Sequence, residues 1–216
     1  MIINLGQQNS IFNQYISEIR DATIQKDSMR FRKNLERAGE IFAYEVSKKL
    51  NYKKISVTTP LGIAEVPVLD EKIVISSILR AGLPIHNGIL NVFDKSENSF
   101  ISAYRKYNNE GSFEIKIEYI SSVNIEDKVL ILTDPMLATG ASMFLAYREL
   151  VKFGKPKHTH IISLIASKEG LEYMKKKINN QDITIWVGAI DDELTVKSYI
   201  VPGLGDAGDL AFGCKE

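Results

Sequence analysis

The sequence is poor in residues that staple, anchor or address a chain. A single cysteine, Cys214, stands near the carboxyl end of 216 residues, so an internal disulfide is excluded and a reducing compartment is expected. No apolar run reaches the ~18 residues that span a bilayer, and the amino terminus lacks a basic start followed by a long apolar stretch. A soluble, cytoplasmic protein with no membrane partner is the expectation. The 27 basic and 27 acidic residues leave no formal net charge. Nothing therefore argues for general attraction to nucleic acid, and any phosphate binding must come from local placement. Of the three histidines, His86 has no carboxylate or metal-ligand spacing beside it, and His158 and His160 lie in or before a strand; all three read as structural. A nucleotide-hydrolysing P-loop is excluded, because no Gly-Lys-Ser or Gly-Lys-Thr is present at the expected turn. The length suits one domain, residues 1–216, with a sizeable core.

What is present centres on Val129 to Ser142. Val129-Leu130-Ile131-Leu132 reads as a buried strand that ends at Asp134-Pro135, where the proline removes a backbone donor. The small and hydroxylic run Ala138-Thr139-Gly140-Ala141-Ser142 then leads into an apolar-periodic helix over Met143 to Val151. Free N–H groups at a helix start, two hydroxyls and a glycine make an anion cradle. Asp134 at the strand edge is placed to accept hydrogen bonds from ribose hydroxyls, so the chemistry suits a phosphorylated sugar. The alternative is an ordinary turn capped by Thr139 or Ser142, with Asp134 merely solvated.

The rest of the chain reads as strands alternating with helices. Helical spacing covers Ile11 to Ile19 and, from a start near Asp27 or Ser28, Phe31 to Leu50, making residues 1–50 a helical amino-terminal part. Arg30, Arg32, Lys33, Arg37, Lys48 and Lys49 decorate its wet side or, for some of them, serve a nucleotide effector. Thr58 to Gly62 marks a hairpin within Lys54 to Val68. Ile73 to Ile78 is a central strand that delivers Arg80, a donor-rich group for a diphosphate, to the carboxyl edge where ligands of open α/β sheets collect. Residues 100–120 form a β arm: strands carrying Tyr104-Arg105 and Phe113 to Tyr119 flank a polar turn. Strands near 73, 129, 160 and 183 alternating with helices imply a largely parallel sheet, with Trp186 in its core. The tail from Tyr199 holds Gly203, Gly205, Gly208 and Gly213 with Pro202, Asp206 and Asp209. It reads as a loop, neither regular helix nor strand, whose backbone is open to a ligand.

Four stretches carry a resemblance: Asp134-Pro135-Met136-Leu137-Ala138-Thr139-Gly140-Ala141-Ser142, then Ile78-Leu79-Arg80-Ala81-Gly82-Leu83, Tyr104-Arg105, and Tyr199 to Asp209. Together they resemble the type I phosphoribosyltransferases, and the uracil phosphoribosyltransferases in particular, from about Phe31 onward. The resemblance implies an α/β, phosphoribosyltransferase-like (Rossmann-like) fold: a largely parallel sheet flanked by helices, with a β-hairpin arm and a glycine-rich base-binding loop within residues 188–216. It implies transfer of the 5-phosphoribosyl group from 5-phosphoribosyl 1-diphosphate to N1 of uracil. Residues Asp134 to Ser142, with Arg80, Arg105 and Asp206, would bind the sugar diphosphate; Ile200, Gly205, Asp206 and Ala207 would bind uracil. Arg80, Arg105, Asp134 and Asp206 would be the catalytic set. Mg²⁺ would be held mainly through the substrate's diphosphate, near Asp206, with no protein metal site assigned. The resemblance extends to a GTP effector and to a homodimer or higher homo-oligomer. Three departures stand out. Leu210 replaces a basic residue, Ala141 replaces a glycine, and Lys106-Tyr107-Asn108 replaces more acidic and threonine character in the arm. A nucleotide-sensing regulator of the same fold would need a basic surface; an enzyme of this fold acting on a purine or another pyrimidine is the other alternative, and the purine-specific relatives do not usually show the Ile-Val-Pro-Gly-Leu-Gly-Asp-Ala-Gly-Asp tail.

Overall fold

The computed structural model describes residues 1–107, 113–178 and 182–214, and for residues 103–107 and 113–116 the backbone alone. In chain order the elements are β1 (Ile2–Asn4), α1 (Ile11–Arg20), α2 (Ser28–Ser47), β2 (Tyr52–Thr59), β3 (Gly62–Leu69), β4 (Ile73–Leu79), α3 (Leu83–Val92), β5 (Glu97–Tyr107), β6 (Phe113–Ser121), β7 (Val129–Thr133), β8 (Met136–Leu137), α4 (Ala141–Leu150), β9 (His158–Ser167), α5 (Lys168–Lys177), β10 (Ile183–Asp191), β11 (Glu193–Leu194), β12 (Ile200–Val201) and α6 (Ala207–Phe212).

Among the described residues one sheet has the order β1-β10-β9-β7-β4-β5-β6, with β8 also pairing β9. Its pairs are parallel except β5 with β6. The near-continuous apolar runs of β4, β7 and β9 suit strands covered on both faces. Alternate side chains separate accordingly. Ile73, Ile75, Val129 and Ile131 join Phe12, Phe31, Phe42 and Ile85 of α1, α2 and α3 on one face, while Val74, Leu130, Leu132 and Ile161 join Met143 and Leu171 of α4 and α5 on the other. Phe12 meets Phe42 edge to face at 5.2 Å, a geometry worth about 0.5–1.5 kcal/mol beyond area burial. Ile200, Leu204, Ala207 and Ala211 of the tail belong to the first core, so the tail is docked against the amino-terminal helices. Among the described residues no helix is long and apolar enough to cross a membrane.

Several sequence expectations need correction. The amino-terminal part opens with a short edge strand, β1, parallel to β10; three residues are too few to show a period. The arm is rooted in the main sheet, because Glu97 to Ser102 pair in parallel with β4 before a register shift at Ser102/Ala103. The turn at residues 108–112 lies outside the described residues. Helix α4 begins at Ala141 rather than Met143. The tail starts later than residue 188, since β10 runs to Asp191, and it is more regular than its glycines suggest. Ile200 and Val201 pair with Leu194 and Glu193, and Asp206 caps the short helix α6 by accepting from Gly208 N at 2.8 Å and Asp209 N at 3.0 Å. An N-cap carboxylate followed by core-facing Ala207 and Ala211 outweighs the glycine penalty.

The cations of α2 are also more than a wet face. Arg30, with Asn34 and Gln14, binds Glu18, and these donors hold its carboxyl down to about 2. Arg32 donates to the Ala211 carbonyl at 2.6 Å. Arg37 bonds Asn34 and lies over the Tyr15 ring.

Candidate active site

The carboxyl ends of β4 and β7 open into a cleft of about 770 Å³. Position follows from the chain path: each strand runs out of the core and stops, and the next helix starts below the opening, as in other open α/β sheets.

The loop after β7 forms one wall. Asp134 is tied down through its backbone, with its N–H donating to the Ile162 carbonyl at 3.2 Å and its carbonyl accepting from Ser163 Oγ at 2.5 Å. Its Oδ1 accepts from Met136 N at 3.3 Å, and the residue borders the cleft. One strand on, Ser167 Oγ donates to the Ala138 carbonyl at 2.5 Å and accepts from Gly170 N at 2.8 Å. Helix α5 presses so closely here that a Cβ on Gly170 would lie 2.2 Å from the Ala138 carbonyl. Gly140 stands at φ +78°, and a Cβ there would meet the Gly170 carbonyl at 2.8 Å. The glycine is thus required twice, by its left-handed backbone and by the pressure of α5. Thr139 Oγ1 accepts from Ala141 N at 3.4 Å. Among the described residues no side chain caps α4 through its N-cap residue and no acidic residue sits in its first turn, which leaves helix-start N–H groups for an anion.

Arg80 and the tail border the same cleft. The guanidinium of Arg80 donates to the Gly213 carbonyl at 2.9 Å and reaches Asp209 Oδ1 at 3.5 Å. Gly205, Asp206, Ala207 and Gly208 line the same cleft as the loop. Asp206 thus serves as a helix cap as well as a wall, a role its spacing to Gly208 and Asp209 could have revealed.

Of the residues singled out in the sequence, Arg80, Asp134, Met136, Leu137, Ala138, Thr139, Gly140, Ser142, Gly205, Asp206 and Ala207 share this cleft. Pro135, Ala141 and Ile200 are not on its wall; Ile200 is buried in the first core. The side chain of Arg105 lies outside the described residues. Ser102 and Ser198 also line the cleft and were missed. Ser102 pairs with Leu79 in register, a relation visible only once the sheet order is known. Tyr199, quoted in the tail motif without a role, lines it too. Leu210 packs against the first core, so the departure there is apolar filling. His86 is buried, its Nε2 2.8 Å from Asn98 Oδ1 and its ring 4.9 Å from that of Phe100, and burial holds it below its usual range.

One cleft is thus bordered both by the uncapped start of α4 and by the backbone of a glycine-rich turn. The model of the family described as uracil phosphoribosyltransferase matches residues 7–214. The chain belongs to this family. A protein named uracil phosphoribosyltransferase from Porphyromonas gingivalis is 55% identical over 214 residues, covering 99% of both chains. Another of that name from Pyrococcus furiosus is 38% identical over 204 residues, covering 93% of this chain and 85% of its own. Among solved structures, the AQ2163 protein of Aquifex aeolicus superposes with a TM-score of 0.86 at 32% identity, covering 99% of this chain and 98% of its own. The mostly parallel sheet with helices on both faces is the type I phosphoribosyltransferase fold.

Proposed function

We infer that the chain transfers the 5-phosphoribosyl group from 5-phosphoribosyl 1-diphosphate to N1 of uracil, yielding UMP and diphosphate. The carrying observation is that the Asp134–Ser142 loop, with its open helix start, and the Gly205–Gly208 backbone border one cleft of about 770 Å³. That is ample for a pentose bearing a phosphate at one end and a flat base at the other.

In this reading the 5-phosphate binds the N–H groups and hydroxyls from Thr139 to Ser142, where the helix start contributes favourably to an anion. Asp134 accepts from the ribose hydroxyls and orients the ring, so that binding energy far from the reacting carbon positions it. As the C1–O bond breaks, positive charge grows on the ribose and negative charge on the departing diphosphate. Arg80 stabilises the latter after exchanging its Asp209 and Gly213 partners for phosphate oxygens, and Arg105 is proposed as a second cation. Uracil, an uncharged ring edged by N–H and C=O groups, is met by backbone at Gly205 and Ala207, while Ile200, buried off the cleft wall, supports the tail from the core. N1 loses its proton, to water or to the departing diphosphate, as its bond to C1 forms.

Mg²⁺ fits the donor chemistry of this cleft as a substrate-borne ion. Two carboxylates, Asp134 and Asp206, line it, but among the described residues no group of three or more His, Cys, Asp or Glu side chains is arranged to hold a metal. Asp134 and Asp206 would stand beside such an ion, which would supply neutralisation of the diphosphate charge and would be carried mainly by the substrate. A cytoplasmic location, a homo-oligomeric assembly and a GTP effector rest on the family resemblance, the first also on the single cysteine.

The test is direct. Purified protein with labelled uracil, 5-phosphoribosyl 1-diphosphate and Mg²⁺ should give UMP, and cytosine, hypoxanthine or orotate in excess should not compete. Product from one of those bases and none from uracil would overturn the reading.

A further inference from the structure

Asp191, the last residue of β10, is 6% exposed and meets Arg20, the last residue of α1, through two contacts of 2.9 and 2.7 Å. The same two side chains grip one residue of the tail. Arg20 Nη1 donates to the Gly203 carbonyl at 2.9 Å, and Asp191 Oδ2 accepts from Gly203 N at 2.9 Å. Gly203 stands at φ +56°, with space for a Cβ closed off by the Ile200 carbonyl at 2.1 Å. With its amide nitrogen turned toward them, Gln25 donates to the carbonyls of Leu204 and Ile19 at 2.9 Å each. The next residues, Gly205 to Ala207, line the cleft.

Apolar packing already docks this tail, through Ile200, Leu204, Ala207 and Ala211, but such packing has no direction. A backbone that reads a flat base by its own N–H and C=O groups needs a fixed register, and small misplacements there are costly. A two-pronged guanidinium–carboxylate contact supplies direction. Buried ion pairs add little net stability over an apolar replacement, so fixing position is what the pair does best.

We propose that Arg20 and Asp191 are positioning residues for the base half of the site: through Gly203 they set the register of the 205–207 backbone against uracil without touching the substrate. The proposal rests on the tail being the seat of the base.

The experiment measures KM for each substrate, kcat and thermal unfolding for the wild type, Asp191→Asn, Arg20→Lys and Arg20→Ala, with Gly205→Val in parallel. In Asp191→Asn and Arg20→Ala the uracil KM should rise about tenfold or more, while the KM for the sugar diphosphate and kcat at saturating uracil change less than about threefold. Arg20→Lys, which keeps charge but loses the fork, should lie between wild type and Arg20→Ala. Unchanged uracil KM in folded variants, an equal rise in both KM values, or failure of Arg20→Lys to fold would overturn the proposal. If Gly205→Val raises the uracil KM and the pair variants do not, the pair alone is misassigned; if Gly205→Val leaves it unchanged, the base seat is wrong and the proposal falls with it.

Discussion

Among the described residues, neutral bonds from the adjacent strand and helix reach the backbone of the loop from Asp134 to Ser142: Ser163 to the Asp134 carbonyl, Ser167 to the Ala138 carbonyl, and Gly170 pressed against it. The tail, which borders the same cleft, adds charged contacts to its apolar docking. Arg20 with Asp191, Arg32 on the Ala211 carbonyl, and Arg80 on Asp209 and Gly213 all bind it. The neutral bonds span about thirty residues; Arg20 and Arg32 reach across about 180. The contrast fits the two ligands. A phosphate brings its own charge and needs only oriented N–H groups nearby, and charged supports beside them would compete for it. An uncharged base brings none, so the fixing charge can lie in the scaffold behind the backbone that reads it.

The largest effect that would break this contrast is at Gly140. Gly140→Val should cost at least about 100-fold in affinity for 5-phosphoribosyl 1-diphosphate by calorimetry, since a β-branched residue is strained at φ +78° and collides with Gly170. Undiminished affinity would mean that the loop does not hold the phosphate. Next comes Asp134→Asn, expected to lower kcat about 100-fold with a melting temperature close to that of the wild type. Wild-type turnover would remove Asp134 from the reaction. Ser167→Ala sharpens the comparison, because it strips the Ala138 carbonyl and the Gly170 N–H of their partner, a loss on the order of 1–3 kcal/mol. The KM for the sugar diphosphate should rise about fivefold while that for uracil stays put, and the opposite pattern would reverse the assignment of the walls.

The remaining effect is on stability and concerns pH. His160, in the same strand as Ser163 and Ser167, accepts from Trp186 Nε1 at 3.0 Å, and burial, with His158 beside it, lowers it to about 3. Its folded value lies below the unfolded one, so the unfolded chain binds more protons between them. The stabilising contribution is therefore complete above about 6.5 and is lost as pH falls toward about 3, with a slope of at most about 1.4 kcal/mol per pH unit. Denaturant melts at pH 7 and pH 5 should show less loss for His160→Gln than for the wild type; equal loss would remove His160 as the cause.

Much of the phosphate wall could be read in the letters. Its strand, acid, small residues and helix follow one another within Val129 to Val151, and the anion chemistry is a property of that local order. The central strands β4, β7, β9 and β10 were equally plain as apolar runs. The tail was misjudged because its glycines speak of loops, whereas the Asp206 cap and the docking of Ala207 and Ala211 decide its conformation. Its supports were invisible for a simpler reason. Arg20 and Asp191 are 171 residues apart, and on α2 the pattern of a solvated face hid that Arg32 reaches the tail. Such partnerships emerge only after the sheet has brought β10 and α1 together.

The central claim is that the two walls take opposite ends of one nucleotide, and a crystal of the protein grown with UMP tests it most directly. The account predicts the 5′-phosphate on the N–H groups at Thr139–Ser142 and the uracil ring against Gly205–Ala207. A phosphate bound away from that helix start, or a base turned out of the tail, would contradict it.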